Sequence, residues 1–173
     1  MKQNDVSLSI TLCLDLCTSE KYSMYYGDGL HMNTAGVFNV LPWLVDMMTM
    51  YAASFMVTDS MTYAQNGKHV SDKDQLDVFA DNQVYPEWGG MFTKERGLQR
   101  KATEVFNKLD NAGRKNCKSF IVVTAGNDMR PTTSALELHS EIVAFKAAWA
   151  NMGITVIIID CVPGLYRDIN GQV

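Results

Sequence analysis

The chain has few cysteines, few prolines, no long hydrophobic run and no excess of basic charge. Its four cysteines, Cys13, Cys17, Cys117 and Cys161, lack the close paired spacing of a zinc ribbon, and 173 residues bury enough core to fold without a disulfide framework. They read as reduced thiols of a cytoplasmic protein. Leu41 to Val57, the longest helical apolar stretch, contains Asp46 and several hydroxyl side chains, which makes it too short and too polar for a membrane span. The apolar run near the N-terminus is interrupted by Asp15 and shows no clear cleavage site, so no signal peptide is expected. Fifteen Lys and Arg stand against 19 Asp and Glu, a net charge of −4 that repels phosphate backbones and argues against general nucleic-acid binding.

What is present is the composition of an ordinary globular protein, 47% apolar and 20% charged, which fits one domain over residues 1–173. Ser7 to Leu14 reads as a strand apolar enough to be covered on both faces, at the centre of a parallel sheet. A helix follows from Asn33 or Thr34 to about Met56; Pro42 within it either kinks it or stands in the first turn of the main helix. Thr58 to Lys73 is polar, carries the turn signal Asn66-Gly67 and suggests a hairpin or irregular excursion. Leu76 to Ala80 reads as a short strand with Asn82 to Tyr85 beside it. An amphipathic helix is expected from Thr93 to about Ala112, a buried strand from Phe120 to Thr124, and a helix opening at Thr133 or Ser134 with Glu137 completing a capping box and Gly153 stopping it. Ile154 to Asp160 is the last buried strand. Alternating strands and helices predict an α/β fold: a three-layer, doubly wound, mostly parallel central sheet with helices on both faces.

In such a sheet the strand ends converge on one edge, and ligands bind there. Asp15 to Ser19, Ala125 to Asp128 and Asp160-Cys161 all belong to that edge. With this constellation the chain resembles a von Willebrand factor type A domain. The family's D-x-S-x-S metal motif is matched by Asp15-Leu16-Cys17-Thr18-Ser19, its strand ending in Phe-Ser-Asp by Val78-Phe79-Ala80-Asp81, its Gly-Gly-Thr loop by Gly89-Gly90-Met91-Phe92-Thr93, and its Thr-Asp-Gly strand by Val123-Thr124-Ala125-Gly126. The resemblance implies a divalent-cation adhesion site. However, Cys17, Met91 and Ala125 stand at three ligand positions, and a thiol, a thioether and a methyl are poor partners for Mg²⁺. Asp15, Ser19, Thr93 and Asp128 remain as oxygen ligands if the loops shift. The resulting expectation is a metal-free module that binds a protein partner through the carboxyl edge, with a Mg²⁺-dependent adhesion domain as one alternative.

A second resemblance leads to chemistry. Val123 to Asp128, followed by a helix and a strand, is similar to the Gly-x-Asn-Asp block of SGNH-type esterases, with Gly126 one place closer to Asn127 than the pattern requires. The family implies an asparagine oxyanion donor, here Asn127, and a nucleophilic serine after strand one, for which Ser19 is the candidate. It also implies a late Asp-x-x-His pair, yet no histidine follows Asp160, and His139 lies in a predicted helix. Cys17 and Cys161 with His31 or His69 form a further combination for zinc or a reactive thiol, though packing is the ordinary use of such cysteines. Trp43, Trp88 and Trp149 are expected in the core or at its rim.

Overall fold

The computed structural model describes residues 10–11, 33–65, 73–124, 127–128 and 132–160. In chain order the elements are β1 (Ile10–Thr11), α1 (Thr34–Met50), β2 (Met56–Thr58), a 3-10 turn at Ser60–Thr62, β3 (Tyr63–Gln65), β4 (Lys73–Gln75), α2 (Asp77–Asp81), β5 (Val84–Pro86), α3 (Gly97–Lys108), α4 (Asn111–Asn116), β6 (Ser119–Thr124), α5 (Ala135–Ala150) and β7 (Thr155–Asp160). Five strands form one parallel sheet in the order β1-β7-β6-β2-β5, while β3 and β4 make a separate antiparallel pair. Met56 of β2 stands opposite Ile121 of β6 on one side and Val84 of β5 on the other.

Side-chain alternation along β6 divides the core into two layers, as a strand covered from both sides requires. Ile121 and Val123 join Val40, Leu44 and Met47 of α1 on one face. Phe120 and Val122 join Leu98, Ala102 and Val105 of α3 and Phe145 and Trp149 of α5 on the other. Helices therefore cover both faces of a parallel sheet, the architecture the alternating pattern predicts.

Several boundaries differ from those read in the sequence. Among the described residues β1 pairs only with β7 and so lies at the edge, while β6 holds the centre. Apolarity alone does not tell an edge strand from a central one, so the run could not fix the place of β1 in the sheet. The first helix stops at Met50, because Ala52 takes a left-handed conformation (φ +49°) and turns the chain into β2. Leu76 to Ala80, expected as a strand, instead forms the N-cap and most of the short helix α2, whose Phe79 is fully buried. The strand role passes to β5. Helix α3 starts at Gly97 rather than Thr93, since Glu95 and Arg96 are both left-handed.

The caps place α1 relative to the edge. Asn33 Oδ1 accepts from Gly36 N at 3.0 Å and closes its N-terminus. At the other end the Ser119 hydroxyl, at the start of β6, donates to the carbonyl of Tyr51 at 2.9 Å. The C-terminus of α1 thus sits at the amino edge of the sheet, and its 17 residues, about 25 Å of helix, run back to the carboxyl edge. Among the described residues no helix is long and apolar enough to cross a membrane.

Candidate functional site

Three adjacent strands, β6, β2 and β5, deliver their following loops to the same edge. β2 ends at Thr58, and the next residues, Asp59 and Ser60, are buried. The Thr58 hydroxyl donates to the Asp59 carbonyl at 3.0 Å and lies 2.6 Å from the Thr62 hydroxyl, which pins the 3-10 turn that carries Ser60. Backbone bonds extend the sheet into these loops, with Asp59 N on the carbonyl of Val123 at 3.3 Å and Glu87 N on that of Thr58 at 2.7 Å.

The loop after β5 makes a tight turn in which Gly90 N reaches the Glu87 carbonyl at 3.1 Å and Gly89 is left-handed (φ +62°). A Cβ at Gly90 would stand 2.7 Å from Leu98 Cδ2 and 3.2 Å from the Glu87 carbonyl, so a larger residue here would force the buried Leu98 side chain to move. The loop after β6 then joins the other two. Asn127 Nδ2 lies 3.4 Å from Asp59 Oδ2 and 3.3 Å from the Gly90 carbonyl. Beside it Asp128, 4% exposed, takes Phe92 N at 2.8 Å on Oδ2, and Thr93 N at 3.0 Å and Thr93 Oγ1 at 2.6 Å on Oδ1.

No family model, curated protein or solved structure matches this chain. Function must be argued from the site itself.

Of the four proposed cation ligands, Thr93 and Asp128 meet, while Asp15 and Ser19 lie outside the described residues. The meeting is a hydrogen bond from hydroxyl to carboxylate, and both Asp128 oxygens face protein donors. Among the described residues no group of three His, Cys, Asp or Glu side chains is placed to hold a metal ion. Cys17, Cys161, His31 and His69 also lie outside the described residues, Cys117 is buried in the core, and His139 is exposed on α5.

An aromatic wall stands beside the Ser60 turn. Tyr63, next to Thr62, meets Trp88 edge to face with ring centroids 5.7 Å apart. Burial, and then the Glu87 carboxylate, raise the Tyr63 phenol above its ordinary value, so it remains a neutral hydroxyl. Sequence reasoning missed Asp59 and Ser60 because β2 is only three residues long and follows an apolar helix with no glycine between them. The run Phe55-Met56-Val57-Thr58, ending in Asp59-Ser60, carries the same signal that was read at Asp15: an apolar strand finishing on an acid and a hydroxyl.

Proposed function

We propose that this chain is a serine hydrolase acting on esters, of the SGNH type, with Ser60 as nucleophile and Asn127 as an oxyanion donor. The observation that carries this is the junction of Asp59, Asn127 and Gly90, which ties the loop before the serine, the asparagine amide and a glycine loop into one cluster at the carboxyl edge. Ser60 suits the role better than Ser19. β2 pairs with β6, the strand that leads to Asn127, whereas β1 is separated from β6 by β7, about 10 Å across the sheet at the usual strand spacing.

The base comes from Asp28-Gly29-Leu30-His31, the one Asp-x-x-His run in the sequence that is followed directly by a described helix. Both residues lie outside the described ones, so this assignment rests on the sequence and on the start of α1 at the carboxyl edge. The pair precedes the serine instead of following it. Order along the chain is no obstacle, since such triads are defined by geometry and recur in several orders.

In the proposed reaction Ser60 Oγ attacks the ester carbonyl while its proton passes to the imidazole of His31, which Asp28 orients. The carbonyl π bond opens to an oxyanion that takes a hydrogen bond from Asn127 Nδ2. The C–O bond then breaks, the alcohol leaves with the proton from His31, and water hydrolyses the acyl-enzyme by the same steps. Asn127 Nδ2 carries two hydrogens, and in the free protein it contacts the Gly90 carbonyl at 3.3 Å and Asp59 Oδ2 at 3.4 Å; donation to the oxyanion requires the longer contact, to Asp59, to give way while the Gly90 carbonyl keeps the amide oriented.

Hydrolysis of p-nitrophenyl acetate tests the proposal. Ser60→Ala and His31→Ala are expected to lower kcat by about a thousandfold or more, and Asn127→Ala by about a hundredfold, the scale of losing a nucleophile or base and of losing one oxyanion donor. Ser19→Ala should leave the rate unchanged. Turnover that survives Ser60→Ala, or an inert wild type, sinks the reading.

A further inference from the structure

We infer that Asp128 is a positioning residue that works through Asn127, its buried carboxylate clamping the Gly90–Thr93 loop so that the Gly90 carbonyl aims the asparagine amide. The inference rests on the hydrolase reading above. Asp128 collects three donors from two consecutive residues, Phe92 and Thr93, that lie 36 and 35 positions away in sequence. All three donors are uncharged, and bonds to an ionised acceptor are roughly twice as strong as neutral ones.

The neighbouring residue completes the clamp. Asn127 holds the near end of the same loop through the Gly90 carbonyl, while Asp128 holds its far end at Phe92 and Thr93. From the opposite side α3 limits the loop further: Leu98 presses on Gly90, Leu98 N reaches the Met91 carbonyl at 3.4 Å, and Gln99 Nε2 donates to the Phe92 carbonyl at 3.0 Å. With its far end fixed, the loop presents the Gly90 carbonyl in one place. That carbonyl takes one Nδ2 hydrogen and so orients the amide, whose other hydrogen is the one to be given to the oxyanion once the 3.4 Å contact to Asp59 is released. Such a donor has catalytic value only if it is held in place before the substrate arrives.

The test is kinetic, on the full chain with p-nitrophenyl acetate. Asp128→Asn, which cannot accept at both oxygens, is expected to lower kcat by about tenfold to a hundredfold with little change in KM, as for loss of a contribution realised only in the transition state. In the Asn127→Ala background the same change should add nothing, because a residue that acts through Asn127 has nothing left to aim. Thr93→Val should lower kcat, and Thr93→Ser, which keeps the hydroxyl, should restore it. This second pair decides the matter if Asp128→Asn fails to fold. An active wild type whose kcat ignores both Asp128→Asn and Thr93→Val overturns the clamp alone, as does a double variant slower than Asn127→Ala by the full Asp128 factor. A wild type with no turnover ends the hydrolase reading and the clamp together.

Discussion

Phe120 is enclosed by aromatic rings: Phe55 stacked at 4.6 Å, Trp149 edge-on at 4.8 Å and Phe145 edge-on at 6.1 Å, all on the α3 and α5 face of the sheet. It is fully buried on the central strand, where no neighbour can collapse into a gap without dragging the strand. Phe120→Ala should therefore cost about 3–5 kcal/mol, the usual range for emptying an aromatic site in a core. Urea unfolding reads this as a lower midpoint at unchanged slope, and a loss below about 1 kcal/mol would show that the aromatic cluster does not carry the packing assigned to it. Individual residues were unevenly legible. Thr93 and Asp128, though distant in sequence, were expected to be neighbours, and they share a hydrogen bond of 2.6 Å. Asn127, picked out by its block, lies with Asp59 and Gly90 at the carboxyl edge, and Ser134 was legible from its capping box, which the structure shows accepting from Glu137 N. Ser60 was hidden, because its strand looked like the tail of a helix.

At the scale of elements, the hidden boundaries share one cause. Helix ends and turns announce themselves in a sequence through glycine, yet here Ala52, Gln83, Glu95 and Arg96 occupy the left-handed region instead. These four residues account for the over-long first helix, the misplaced strand before β5 and the early start assigned to α3. Where glycine does take that conformation, at Gly153 (φ +75°), the stop of α5 was read correctly. The same observation carries a stability prediction. A non-glycine residue in this region bears roughly 1–2 kcal/mol of strain, while adding a glycine costs about 0.4–1 kcal/mol through the freer unfolded chain. Ala52→Gly should thus raise stability by about 0.5–1 kcal/mol, visible as a higher thermal midpoint. A lowered midpoint would mean that the neighbouring contacts, including Ser119 Oγ on the Ala52 carbonyl at 3.2 Å, already relieve the strain. Removing the Asn33 cap acts in the other direction. Asn33→Ala should cost about 1 kcal/mol, read from the same melts.

For the whole molecule, the order of strands matters less than the edge to which they lead. A parallel sheet sends every following loop to one side, so residues far apart in the chain become neighbours there without any motif that spans them. That edge was legible from the pattern of strands; which strands flank its centre was not, because hydrophobicity does not encode sheet order. The two chemistries proposed for the edge ask opposite things of it. A cation cage needs carboxylate and hydroxyl oxygens turned toward an empty point, whereas acyl transfer needs N–H and O–H groups already aimed and held. In the described part of the edge Asp128 already takes three protein donors, and the Thr93 hydroxyl is spent on it. A cation would have to break that set, losing charge-assisted bonds before it gained a ligand. Thermal melts of the full chain in EDTA, Mg²⁺ and Mn²⁺ should accordingly coincide. A ligand that binds only the native state raises the midpoint in step with its concentration, so a rise that grows with Mg²⁺ and vanishes in Asp128→Ala would return the edge to the cation-dependent reading.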